Sequence, residues 1–277
     1  MNSNYKVIKF KKNKFEKIDD LISIEEPLEI SIKYKDQNEW VTSSLSITMR
    51  TPGHDEDLVR GFLFNEQIIQ NLNEIDEIES IGEKVGQYKI QNKILITLNN
   101  SKNINISKIK RDFLTNSSCG VCGKSSLDAL EIIKKEKTFK DEPKLVKEII
   151  IRSPLILRQN QSEFSKTGGI HASGLFSSDG KLISLREDVG RHNALDKLIG
   201  QALLSNELPL SDYGIIVSGR ASFELMQKAM MAGVPLLAAV GAPSSLAVEL
   251  AEEFGMTLIG FLKKDKFNIY TRSDRIR

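Results

Sequence analysis

The sequence predicts an α/β protein, with a small N-terminal α+β part and a larger C-terminal part of three layers. Three observations predict it. YGIIVS, VPLLAAV and MTLIGFL are short and almost wholly apolar, as strands covered on both faces of a parallel sheet must be. They are separated by ASFELMQKAMMAG and PSSLAVELAEEFG, which read as crossover helices. Before about residue 100 alternating runs outnumber helical ones, the pattern of a small mixed unit.

The first 20 residues, rich in Lys and Asn without a period, read as a leading strand or loose arm. LEISIKY and WVTSSLSIT alternate as strands do, and TPGHDEDLVRGFLF reads as a helix with an acidic first turn and Leu58, Phe62 and Leu63 on one side. IDEIES, VGQYKI and KILITL follow as short strands, the last two joined across Gln91-Asn92 as a hairpin. Ser153-Pro154 resembles an N-cap and first helical residue. HASGLF and KLISLRE read as strands joined by a Ser178-Asp179-Gly180 turn, and RHNALDKLIGQALL puts Leu195, Leu198, Ile199 and Ala202 on one helical face. The expected division is residues 1–115 as the small domain, 116–150 as a Cys-containing loop with a connecting helix, and 151–277 as the α/β domain.

Composition narrows the function. Over 277 residues, 39 Lys and Arg face 37 Asp and Glu, a formal charge of +2, so no pervasive basic field points to nucleic acid or an anionic membrane. No run approaches the ~18 consecutive apolar residues of a spanning helix, and the N-terminus has no apolar core of a signal peptide. A cytoplasmic protein is expected, with neither nucleic acid nor membrane as partner.

Both cysteines lie in SSCGVCGKSS, as Cys119 and Cys122. A disulfide is a poor reading in a reducing compartment. A closed zinc site needs four ligands, and only His54, His171 or His192 are available to complete one, so no metal site is expected. The flanking glycines and Lys124, with a helix beginning just beyond, favour a reachable thiolate. Such a thiolate suits a persulfide carrier at least as well as a dithiol oxidoreductase, and its place near the middle of the chain argues against a thioredoxin arrangement.

GGIHASG invites comparison with zinc deaminases, whose H-x-E is completed by a downstream P-C-x-x-C. Here Ser173 stands in place of the glutamate and the cysteine pair lies upstream, so deamination has neither proton shuttle nor metal site. His171 reads as a hydrogen-bonded strand-start residue or a substrate contact. His54 reads as a first-turn helix residue. The string Arg186 to Lys197 is dense in charge at a strand–helix junction; it reads either as a helix cap by Asp188 with solvated neighbours or as the floor of a polar pocket. VSGRAS, with Ser218, Gly219 and Arg220, and VGAPSS join strands to helices through small hydroxyl-bearing residues. Both suit phosphate, though neither is a P-loop or a dinucleotide fingerprint.

SSCGVCGK, GGIHASGLF, REDVGRHNALDKLIG, SGRASFELMQKA and GVPLLAAVGAPSSLAVELAEEFGMTLIGF, in this order, resemble the formate dehydrogenase accessory sulfurtransferase family, FdhD/NarQ. The resemblance implies a sulfurtransferase that takes sulfane sulfur from a cysteine desulfurase. It passes this sulfur to the molybdenum bis(molybdopterin guanine dinucleotide) cofactor before insertion into formate dehydrogenase. It implies a cytidine-deaminase-like C-terminal domain, a homodimer, and a GDP-like nucleotide as a mimic of the cofactor. Carried over by position, Cys119 would bear the persulfide and Cys122 would assist. The family's late cofactor-binding stretch falls on Phe261, Leu262, Lys263, Lys264, Asp265 and Lys266. Ser218, Gly219, Arg220 and His192 complete the expected cofactor site. Lysines stand where the family often has Gly and Arg; they keep the charge but lose the bidentate fork, which suits phosphate contact better than planar recognition.

Overall fold

A computed structural model describes residues 2–99, 139 and 144–277. Cys119, Cys122 and the helix expected after them lie outside the described residues. An N-terminal hairpin pairs β1 (Asn2–Lys11) with β2 (Lys14–Ser23). A four-stranded sheet follows in the order β4-β3-β6-β5, from β3 (Glu26–Asp36), β4 (Glu39–Arg50), β5 (Ile75–Val85) and β6 (Ile90–Leu98), with α1 (Asp55–Asn65) between β4 and β5. The chain re-enters through α2 (Lys147–Asn160) and α3 (Ser162–Thr167). Then come β7 (His171–Ser177), β8 (Leu182–Asp188), α4 (Arg191–Leu204) and β9 (Tyr213–Val217). The rest is α5 (Phe223–Met231), β10 (Leu236–Ala239), α6 (Ser245–Glu253), β11 (Thr257–Gly260) and β12 (Asn268–Thr271).

The second sheet runs β12-β11-β10-β9-β7-β8. The three apolar runs are its parallel centre, β9, β10 and β11; β7, β8 and β12 are antiparallel additions. Alternate side chains leave the two faces, as the period of a strand requires. Ile215, Val217, Leu237, Ala239 and Leu258 pack under α4, α5 and α6, while Ile216, Leu236, Ala238 and Ile259 pack against Ile150 and Leu157 of α2. That arrangement is three layers, and each fully buried Leu or Ile in it contributes about 1.5–3 kcal/mol.

Ser222 and Ser244 cap α5 and α6, each hydroxyl accepting a backbone N–H from inside the first turn. The four-stranded sheet has its own core of Leu28, Ile30, Ile32, Ile94, Ile96, Leu58 and Leu63. It meets the second unit where α1 crosses α4 in backbone contact. A Cβ added at Gly61 would lie 1.9 Å from the Asp196 carbonyl oxygen, and one at Gly200 1.9 Å from that of Asp57. Only glycine permits this approach, and it sets the start of α4 against the end of β4.

Two local expectations are corrected. Ser153 and Pro154 lie inside α2, which begins at Lys147; the Ser153 hydroxyl donates to the Ile150 carbonyl, so it serves the helix interior and not its start. Gln91 and Asn92 belong to β6, and the turn lies one step earlier, where Gly86 and Lys89 have φ of 70° and 53°. Asn92 instead spans strands, its amide bonding Glu26 and accepting from Arg50. Among the described residues no helix is long and apolar enough to cross a membrane.

Candidate functional site

Sheet polarity gathers the site at one edge. β9, β10 and β11 end there, and because β7 runs antiparallel to β9 and β8 antiparallel to β7, His171 and Asp188 arrive at the same edge. The strand-end loops are laced together: Gly241 N donates to the Gly219 carbonyl and Phe261 N to the Gly241 carbonyl, both at 2.9 Å, and Ala221 N donates to Ala242 O at 3.2 Å. Ser218, Gly219, Arg220, His192 and Phe261 are thereby brought to one edge. Helices α4, α5 and α6 all begin on it, and their free N–H groups and dipoles make it attractive to anions.

Individual groups are committed differently. The Ser218 hydroxyl accepts the Ala172 N–H at 2.9 Å and lies 3.4 Å from His171 Nδ1. Gly219 lies over this pair, where a Cβ would make ordinary contact with the His171 ring at 3.4 Å and Arg191 Cδ at 3.7 Å. Arg191 Nε is buried with no hydrogen-bond partner, which fits an anionic group held at this edge. Arg220 is exposed, as are Phe261, Lys263, Lys264, Asp265 and Lys266. Leu262 is buried in the core with Ala238 and Ile259, so only its backbone is near the edge. No group of three or more His, Cys, Asp and Glu among the described residues could hold a metal ion.

His192 is the best-defined group. Its Nε2 lies 3.2 Å from Ser222 Oγ and its Nδ1 3.4 Å from Glu224 Oε2. Burial, and then the charges of Arg191 and Lys228, depress its pKa from 6.5 to about 4, so the ring is neutral at pH 7. A carboxylate only accepts, so the ring proton sits on Nδ1 and Nε2 accepts from the Ser222 hydroxyl. Burial and Arg191 also lower the pKa of His171.

A neutral His192 stabilises the fold fully above its ordinary pKa. As the pH falls from 6.5 towards about 4, the unfolded chain binds a proton that the folded one refuses, and on the order of 3 kcal/mol is lost. His192→Gln is expected to flatten that part of the pH profile of urea denaturation. An unchanged profile would show that the ring titrates normally.

Most of the charged string from Arg186 to Lys197 faces inward. Asp188 is wholly buried and accepts from Lys197 Nζ at 2.6 Å, Thr51 N at 3.1 Å, Gly190 N at 2.8 Å and Asn193 Nδ2 at 3.2 Å. Lys197 also donates to the Thr51 carbonyl at 2.8 Å, and Asn193 to that of Met49 at 2.8 Å. Arg186 pairs with Asp57 at 2.9 Å, and Asp196 accepts from Asn65 and Lys228. Burial opposes the charge on Lys228, but Asp196 and Glu224 more than offset it and raise its pKa. The reading of Asp188 as a cap among solvated neighbours does not hold, because its neighbours are buried and the string rivets the N-terminal sheet to α4; Arg191 and His192 are the members left at the edge. His54 lies just outside α1, in the left-handed region at φ 55°, with Nδ1 3.6 Å from Asp57 Oδ2. Sequence reasoning passed over Arg191, Ser222 and Glu224 as site residues, although all three stand at strand-to-helix junctions, where such groups collect.

The model of the FdhD/NarQ family matches residues 23–277. The chain belongs to this family. It is 44% identical over 273 residues to the sulfur carrier protein FdhD of Streptomyces coelicolor, covering 98% of this chain and 94% of that one. It is 41% identical over 258 residues to the FdhD of Sulfolobus acidocaldarius, covering 93% and 92%. The crystal structure of a protein from Desulfotalea psychrophila, titled as a formate dehydrogenase accessory protein, shares the fold at a TM-score of 0.73 and 23% identity, covering 100% of this chain and 99% of that one. The FdhD/NarQ match begins at the foot of the N-terminal hairpin and takes in every residue of the edge described above.

Proposed function

We propose that this chain is a sulfur carrier for formate dehydrogenase maturation. It takes sulfane sulfur from a cysteine desulfurase as a persulfide on Cys119 and delivers it to the molybdenum bis(molybdopterin guanine dinucleotide) cofactor, its substrate. The observation that carries this reading is the family match over residues 23–277, with relatives named as sulfur carriers.

In loading, the Cys119 thiolate attacks the outer sulfur of the desulfurase persulfide; an S–S bond forms and the donor cysteine leaves as a thiolate. In delivery, attack by the Cys122 thiolate on the inner sulfur expels hydrosulfide and leaves a Cys119–Cys122 disulfide, so the two electrons gained by the sulfur come from the dithiol. Three helix starts, the unpartnered Arg191 Nε and the exposed Arg220, Lys263, Lys264 and Lys266 supply the positive end that guanine-nucleotide phosphates need. His192, Ser218 and Gly219 form the floor, and the exposed Phe261 ring is open to a base. We extend the same reading to a cytidine-deaminase-like layering of the C-terminal part, the three-part division at 115 and 150, a cytoplasmic location and a homodimer.

Incubation with a desulfurase and cysteine is expected to add about 32 Da, one sulfur, to the peptide containing Cys119. No labile sulfur on that peptide would overturn the reading, and a disulfide cycle without sulfur uptake would make the chain a redox enzyme. Arg220→Ala is expected to weaken GDP binding by about 1–3 kcal/mol in calorimetry; unchanged affinity would remove Arg220 from the site.

A further inference from the structure

The N-terminal hairpin carries surface that sulfur transfer leaves unused. Its foot is tied to the body, where Asn2 Nδ2 donates to Glu163 at 3.1 Å and the hydroxyls of Ser23 and Thr167 share a hydrogen bond of 2.6 Å. Its turn is the two-residue kind, with Lys12 and Asn13 both left-handed at φ 50° and 62°. Every residue from 8 to 17 is exposed.

The register places Phe10 opposite Phe15 and Ile8 opposite Lys17, so Ile8, Phe10 and Phe15 share one face of the tip, while Lys9, Lys11 and Lys14 share the other. The two rings lie 5.1 Å apart. Ile8, Phe10 and Phe15 remain 67%, 59% and 76% exposed. Residues 6–17 hold six lysines against Glu16, a net +5; Asp19 and Asp20 nearer the foot bring the whole hairpin to +3, which leaves −1 of the total +2 for the rest of the chain. The near-neutral total therefore conceals a segregated charge.

We infer that this hairpin docks the protein tip-first on an anionic lipid surface, so that Phe10 and Phe15 beside the turn reach the headgroup–acyl boundary and the lysines of both faces meet the phosphates. Protein interfaces also favour Phe, but they are depleted of Lys, and six lysines in residues 6–17 set this tip apart from them. Lysine stems instead lie along an interface with their ammonium groups in the headgroups, and a short apolar insertion combined with a polybasic cluster makes a reversible anchor. The proposal does not depend on the sulfur-carrier reading.

The test is co-sedimentation of the full chain with phosphatidylcholine vesicles, with and without on the order of one-third phosphatidylglycerol. Binding is expected to the anionic vesicles alone, falling as salt is raised from about 0.05 to about 0.5 M. The double variant Phe10→Ser/Phe15→Ser, with circular dichroism and sulfur loading unchanged, is expected to bind at least tenfold more weakly, as is Lys11→Glu/Lys14→Glu. No sedimentation, equal sedimentation with both vesicles, or unaltered binding by both variants would overturn the inference. So would vesicles left unbound while either variant changes the oligomeric mass by light scattering, which would make the arm a contact between copies of the chain.

Discussion

Cys119→Ala is expected to abolish formate dehydrogenase activity in a strain that depends on this chain, with the fold and GDP affinity as in the parent. The reasoning is chemical. Neither the hydroxyl of serine nor the methyl of alanine accepts a sulfane sulfur, and Cys122 alone loads a persulfide with no second thiol to discharge it. Cys122→Ala should therefore retain sulfur uptake on Cys119 but lose most of the delivery, which separates the two thiols by where transfer stops. Formate dehydrogenase activity in the dependent strain reads the first outcome, and mass spectrometry of the trapped persulfide reads the second. Normal activity with Cys119→Ala would remove Cys119 from the transfer path.

Lys197→Met is expected to cost about 3–5 kcal/mol of stability, because it strands the Asp188 carboxylate in a dry interior. Both side chains are at most 1% exposed, and the ammonium also holds the Thr51 carbonyl. The loss arises where β4 meets α4, so urea denaturation should show the two units separating in cooperativity as well as a lower midpoint. Adding Asp188→Asn removes the stranded charge and keeps one acceptor oxygen, enough for Gly190 N or Thr51 N but not for both, since the two bond to different oxygens of Asp188; the double variant should still be more stable than the two single losses combined. A loss below about 1 kcal/mol for Lys197→Met would mean that water reaches the pair.

Strands β9, β10 and β11 were legible because a strand buried on both faces must be apolar throughout, a property of consecutive residues. Helices α4 to α6 were legible for the same reason, each carrying one apolar stripe and, for α5 and α6, a serine at the start. The site loops followed, since small and hydroxyl residues between such strands and helices have few other uses. Pro154 misled because a proline reads as a helix opening, yet its neighbours continue the helix past it on the strength of burial at Ile150 and Leu157. The roles in the string from Arg186 to Lys197 were not legible at all. Asp188 and Thr51 are 137 positions apart, and nothing in either segment names the other.

The amino-acid order by itself determined the layered α/β plan, the family and the small, hydroxyl-rich loops between strands and helices, because each rests on local pattern and composition. Only the tertiary structure decided which charges serve the edge and which serve the interior. It placed Arg191 and His192, half-buried, at the strand-end edge and buried Asp188 and Lys197 in the interior, and it raised a basic, phenylalanine-tipped hairpin out of a chain whose total charge is nearly zero. The reason is that a charge is free or committed according to the partner that sheet register and helix crossing bring within about 3 Å, and a linear pattern does not contain that distance.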